Sequence, residues 1–241
     1  MLLGDVHVPY HDRRAWETAL AAIDAVRPDV VAIMGDFVDC YTCSRFDKAP
    51  TRFTLLEDEI REARLELAKI EAPRVVYLEG NHEHRLTSYV IRNAPALAGM
   101  VSLESALRIR SRDWEWVPYP SHLDVGDLRL RHEPLVGGKY GIRRTLDTGG
   151  SRSWASGHTH SGGVAYAGTP DGDGIYAFST GWLGDYSSLA FDYCSPVRAR
   201  QDWRHGFALA YQREGRTIGG QFVAIQDGAC VVNGRRICAG A

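Results

Sequence analysis

No run of about 18 apolar residues occurs anywhere in this chain of 241 residues, which argues against a transmembrane helix. The first residues lack a basic segment and a small-residue cleavage site, so no secretory leader is read there. Net charge is also nearly absent, at −2, which argues against capture of nucleic acid by bulk electrostatics. Arg13-Arg14 and Arg143-Arg144 remain as local pairs able to meet a phosphate. Cysteine is scarce and odd in number, at five, in a chain large enough to need no covalent staples. Free thiols in a reducing cytoplasm are therefore expected. Cys40 and Cys43 have the spacing of a zinc or redox pair, but no second pair exists, and Cys194, Cys230 and Cys238 show no matching spacing. No structural zinc is predicted. Linkers, internal repeats and low-complexity tracts are missing too, so residues 1–241 read as one domain, with 44% hydrophobic content to build its core.

What is present begins as alternating strand-like and helix-like patterns, the mark of β-α-β units. Residues 1–3 form a short apolar stub, and residues 13–26 carry apolar positions at helical spacing. Residues 29–34 read as a buried strand, and Thr54 with Glu57 has the letters of a capping box opening a helix to about Ile70. Strands follow at 74–78, 128–131 and 154–156. The last third changes character, with strands at 163–167, 174–179, 207–211 and 219–225. Val232-Asn233-Gly234-Arg235 carries a type I′ hairpin signal. This region predicts a second, mostly antiparallel sheet packed on the first. A three-residue central strand is short against the usual five or six, which fits either a small sheet there or a natural chain that starts upstream. Asp171-Gly172-Asp173-Gly174 is a turn, since the downstream ligands of a calcium loop are lacking.

Five short segments close these strands: Asp5-Val6-His7, Gly35-Asp36-Phe37-Val38-Asp39, Gly80-Asn81-His82-Glu83, His132, and Gly157-His158-Thr159-His160. They hold five of the nine histidines. Asp, Asn and neutral His are ligands that divalent ions such as Mn²⁺, Fe²⁺ and Zn²⁺ accept. In an α/β sheet, ligand-bearing turns converge at the carboxyl ends of strands. Gly4, Gly35, Gly80 and Gly157 suit exits that need unusual backbone angles or close approach. Any one segment arises by chance; all five in order predict a two-metal site. His11, His84, His122 and His205 read as rim or structural residues.

The order D-x-H, G-D-x-x-D, G-N-H-[DE], a lone His, then G-H-x-H resembles the calcineurin-like metallophosphoesterases, over roughly residues 1–160. The resemblance implies an α/β fold, a two-sheet β-sandwich flanked by α-helices. It implies that Asp5, His7, Asp36 and His160 bind one metal. Asp36 would bridge to a second, completed by Asn81, His132 and His158. His82 would stand free near the leaving-group oxygen, oriented by Asp39. The implied cofactors are two divalent ions, manganese first among them, with Fe, Zn, Ni and Co also compatible with the ligand set. A hydroxide between the ions would attack phosphorus while His82 assists the departing oxygen.

Substrate contacts are less defined. Arg45, Phe46 and Lys48 lie on a loop after the second motif that reads equally as a grip on a phosphate and a base or as a solvated connection. Arg85 reads as a phosphate contact or as a helical ion pair with Glu83. Trp182 and Tyr186 read as cleft walls or as core. Cys40-Tyr41 and Glu133 stand where phosphoprotein phosphatases usually carry Arg-Gly and Gly, which weakens that branch. The compact size looks more like stand-alone phage and bacterial phosphoesterases, so a phosphodiester, nucleotide or nucleic acid is the favoured substrate. A phosphomonoesterase or protein phosphatase is the alternative. A non-catalytic scaffold of the same fold is the alternative from another class, against which stands the retention of every ligand position and of His82.

Overall fold

The computed structural model describes residues 1–48, 54–138, 140–188 and 201–240, so Cys194 lies outside it. The chain runs β1 (Leu2–Leu3), α1 (Arg13–Val26), β2 (Val30–Ile33), α2 (Leu56–Leu67), β3 (Arg74–Leu78) and α3 (His84–Asn93). It continues through α4 (Leu103–Ala106), β4 (Glu115–Val117), β5 (Leu123–Val125), β6 (Leu128–Leu130), α5 (Gly141–Thr148) and β7 (Ser153–Ser156). Then come β8 (Gly162–Gly168), β9 (Gly174–Thr180), β10 (Gly206–Arg213), β11 (Arg216–Ala224), β12 (Ala229–Val232) and β13 (Arg235–Cys238).

Two sheets form the centre, ordered β11-β10-β1-β2-β3-β4 and β5-β6-β7-β9-β8. The side-chain period of a strand explains why both faces of the first sheet are apolar. Leu2, Ala32, Val76 and Leu78 point inward against Leu130, Ala155 and Phe178 of the second sheet. Their neighbours Leu3, Ile33, Val75 and Tyr77 point outward, where Trp16, Ala19 and Ile23 of α1 and Ala63 and Leu67 of α2 cover them. On the far side, Ile142 and Leu146 of α5 cover Trp154, Ile175 and Ala177. The layers are therefore helix, sheet, sheet, helix. Among the described residues no helix is long and apolar enough to cross a membrane.

The expected second sheet in the last third divides. β8 and β9 join β5–β7, but β10 and β11 extend the first sheet, with β10 antiparallel to β1 at Leu2↔Ala208. A strand pattern specifies burial, not which edge it pairs with. The pairing also gives the two-residue β1 a neighbour on each side, since Leu2 and Leu3 pair with Ala32 and Ile33 of β2. The capping box is not formed. Leu55 occupies the N-cap of α2 without a side-chain hydrogen bond, and Glu57 and Asp58 supply negative charge to the first turn instead. The hairpin signal is realised, with Asn233 and Gly234 at φ 51° and 74° between paired Val232 and Arg235. Cys40, Cys43, Cys230 and Cys238 are free thiols.

Candidate metal centre

β1, β2 and β3 run parallel in one sheet, and β6 and β7 run parallel in the other. Their carboxyl ends consequently deliver all five motifs to one place. The exits are tight. Asp5, His7, Asp36, His158 and His160 all have positive φ, between 53° and 66°. A non-glycine residue held there costs about 1–3 kcal/mol and persists only where the surroundings impose it. Strain thus falls on the candidate ligands themselves. Of the four motif glycines only Gly35 shares it, at φ 92°. Gly80 answers to close approach instead: a Cβ there would collide with Oδ1 and the backbone nitrogen of Asp36.

Asp5, His7 and His160 form one group, and Asp36, His132 and His158 another, each with donor atoms within 4.8 Å of one another. In the first, His7 Nε2 and His160 Nε2 face each other at 3.2 Å, and His160 Nε2 lies 3.5 Å from Asp5 Oδ1. Burial pushes His7 down to about 4 and His160 down to about 3, so both are neutral imidazoles. His7 Nδ1 donates to Asp39 Oδ2 at 3.0 Å, which leaves its Nε2 lone pair for an ion. Burial also raises Asp5, to about 6. Two bare nitrogens and a buried carboxylate suit a borderline divalent cation in charge and donor type.

In the second group, His132 Nδ1 donates to Met34 O at 2.8 Å. Its Nε2 faces Asn81 Oδ1 at 2.8 Å and Asp36 Oδ2 at 3.3 Å. His158 Nδ1 approaches the same Asn81 oxygen at 2.9 Å. Burial by itself would lower His132, but Asp36 outweighs it and raises the imidazole to about 10. The same charges work in reverse on Asp36. Burial would raise it, yet His132 and His82 hold it well below the carboxylate range. Without metal, a proton on His132 is what balances Asp36.

His82 is arranged differently. Its Nδ1 donates to Asp39 Oδ2 at 3.1 Å, the same oxygen that accepts from His7. His7, Asp39 and His82 also cluster tightly, but with both Nδ1–H groups committed to Asp39 this trio orients rings rather than holding an ion. Burial would lower His82, but Asp36 and Asp39 raise it. Arg85 opposes them, with one guanidinium nitrogen 2.7 Å from His82 Nε2 and the other donating to Asp39 O and Oδ1 at 2.9 and 3.0 Å. Arg85 therefore touches the candidate acid directly and does not pair with Glu83.

Glu83 carries a role that the motif letters alone do not disclose. Its carboxylate is fully buried and accepts five hydrogen bonds: Oε1 from Phe37 N, Val38 N and Tyr77 OH, Oε2 from Asp36 N and Gly80 N. It ties the Asp36 turn to the Asn81 turn. Trp182 proves to be core, stacked on His160 at 5.1 Å, while Tyr186 is partly exposed. Lys48 is engaged locally, its amine donating to Ser44 O and Phe46 O at 2.6 and 2.5 Å, so it shapes the loop that carries Arg45 and Phe46. His11 is buried and His122 exposed; His205 donates to Gly184 O, and His84 lies 3.7 Å from Glu79.

The chain is similar to the Gene 54 protein of Mycobacterium phage L5, at 24% identity over 98% of this chain and 96% of the relative. Among solved structures it overlaps YfcE, described as a phosphoesterase from E. coli, at a TM-score of 0.39 and 13% identity over 91% of this chain and 96% of that one. The family model for calcineurin-like phosphoesterase matches residues 1–162, the stretch that contains every residue of the two groups above. The chain belongs to the calcineurin-like phosphoesterases, metal-dependent hydrolases of phosphate esters.

Proposed function

We propose that this protein is a dinuclear phosphodiesterase acting on a phosphodiester, nucleotide or nucleic acid, with His82 as the acid that assists the leaving group. One ion would be held by Asp5, His7, Asp36 and His160, the other by Asp36, Asn81, His132 and His158. Manganese is the favoured metal. Two such ions would neutralise phosphoryl oxygens and lower the pKa of an attacking water towards neutrality. Everything else is supplied by the chain. Asp39 fixes His82 with its Nδ1–H towards the carboxylate and its Nε2 between Arg85, at 2.7 Å, and Asp36 Oδ2, at 3.8 Å. A substrate phosphate drawing Arg85 away would leave the pull of Asp36 and Asp39 on the His82 proton unopposed, placing a proton on Nε2 for the departing oxygen. Positioned acid help of this kind contributes about 10²–10⁴-fold. The two sheets share one interior, which supports reading residues 1–241 as one domain.

The observation that carries this reading is the shared oxygen of Asp39, which binds a candidate ligand histidine and a candidate acid at once. The test is hydrolysis of bis-p-nitrophenyl phosphate beside p-nitrophenyl phosphate by metal-free protein reloaded with Mn²⁺. Diester turnover that His82→Ala abolishes without loss of metal supports the proposal. Monoester turnover alone would move the assignment to a phosphatase. Silence on both with metal bound would favour a scaffold.

A further inference from the structure

A cleft of about 470 Å³ opens beside Asn81, on the side away from the two sheets' shared interior, lined by Cys43, Ser44, Arg45, Phe46, Arg85, Ser88 and Arg92. Its charge is one-sided: among the described residues three arginines and no carboxylate contribute to the wall, in a chain whose net charge is −2. Helix geometry explains the wall. Leu86 and Val90, four residues apart on α3, are buried in the core, which turns Arg85, Ser88 and Arg92 at i, i+3 and i+7 onto an adjoining face. Arg85 is committed to Asp39 and His82. Arg45 and Arg92 are not committed to any acid among the described residues. Arg92 Nε donates to Ser88 O, and the Arg45 guanidinium lies over the Phe46 ring at 5.3 Å. Phe46 itself is 64% exposed. Lys48, by tying down Ser44 O and Phe46 O, holds this presentation in place.

Resting on the phosphodiesterase reading above, we infer that this cleft binds the phosphate next to the scissile one in a single-stranded nucleotide chain, with Arg45 and Arg92 on the phosphate and Phe46 against the base. An aromatic face beside free guanidinium groups is the usual means of holding an unpaired nucleotide without reading its sequence. Arginine offers a planar fork that matches two phosphate oxygens. A substrate with a single phosphate would leave both cations idle. The bond broken is the P–O bond to the leaving alcohol or phenol, with water adding at phosphorus, and Arg45 and Arg92 take no part in that exchange.

Calorimetric binding of thymidine 3′,5′-bisphosphate and thymidine 5′-monophosphate to Mn²⁺-loaded protein tests the cleft without requiring turnover. Hydrolysis of thymidine 5′-(p-nitrophenyl phosphate), with and without a 3′-phosphate, tests it in the reaction. The second phosphate should tighten binding and lower KM at least tenfold, with kcat changed far less. Arg45→Gln with Arg92→Gln should reduce that preference to threefold or less, and Arg92→Lys alone should keep part of it. Equal binding of the two nucleotides, or a preference that survives the double substitution, overturns the cleft assignment. A preference in binding without hydrolysis of either ester would uphold the cleft and refute the phosphodiesterase reading. A tetrathymidylate that competes with the bisphosphate supports a nucleic-acid source, and failure to compete while the bisphosphate binds would overturn the nucleotide-chain assignment.

Discussion

Replacing Glu83 with Gln changes one oxygen to an NH₂ group and should damage the centre from behind. With the amide oxygen in the Oε1 position, Phe37 N, Val38 N and Tyr77 OH keep their acceptor, at 2.6, 3.0 and 2.9 Å. The NH₂ then faces Asp36 N and Gly80 N, both of which sat 2.9 Å from Oε2. With the amide flipped, Tyr77 can rotate its hydroxyl and accept, but Phe37 N and Val38 N are stranded. Either way two buried backbone N–H groups lose their partner. At about 1–3 kcal/mol each, the loss is about 2–6 kcal/mol. Glu83 is itself pushed up by burial and by Asp36, so relief of that repulsion places the outcome in the lower half of the range. For a urea m-value of about 2 kcal/mol/M, the unfolding midpoint of metal-free protein should fall by about 1–2 M. Tryptophan fluorescence in chelator is a suitable readout, because Trp16 and Trp182 are buried. The same variant should bind metal more weakly, since the stranded groups belong to the turns that present Asp36 and Asn81. A midpoint within about 0.3 M of wild type, with metal binding intact, would refute this reasoning.

Metal loading should release a proton. His132 is raised to about 10 and must give up its Nε2 proton to bind an ion, whereas Asp5, at about 6, is already ionised above neutrality. The apparent association constant should therefore rise about tenfold per pH unit between pH 7 and 9 and level off above about 10. Calorimetry in buffers of different ionisation enthalpy would read the proton, and its absence would show that His132 is neutral beforehand. Gly80→Ala should lower metal content, because the added methyl meets Oδ1 and the backbone nitrogen of Asp36 and Oε2 of Glu83, all of them buried; elemental analysis checks it. Asp36→Asn should lower metal content as well, and unchanged content would remove Asp36 from the ligand set. Asp39→Asn should lower kcat about 10²–10⁴-fold at saturating Mn²⁺, since it frees His82, and weaken metal binding about 10–100-fold, since it frees His7; a change in KM alone would contradict the orienting role.

Ligand chemistry is legible in this sequence because it resides in residue type. Asp5, His7 and His132 announce themselves as donors, and apolar runs such as residues 29–34 mark the strand ends that carry them. Pairing partners are not legible. Nothing in residues 207–211 distinguishes a strand of the second sheet from one lying beside Leu2. Hydrogen-bond capacity is hidden for a similar reason. Glu83 looks like any acid at the start of a helix until the turns at Asp36 and Gly80 fold back onto it. The left-handed backbone at His7, His158 and His160 is not legible either, because histidine enters that region more often than most residues yet the great majority of histidines lie outside it. The capping letters at Thr54 and Glu57 show the converse, a local signal that the chain passes over when tertiary packing starts α2 at Leu56.

The most direct measurement is turnover of bis-p-nitrophenyl phosphate during stepwise addition of Mn²⁺ to metal-free protein, with bound metal counted at each step. If the two groups around Asp36 form one dinuclear centre, turnover will saturate at two ions per chain, and Asp36→Asn will neither bind the pair nor turn over the ester. Full turnover with one ion bound, or two ions bound without turnover, would contradict it.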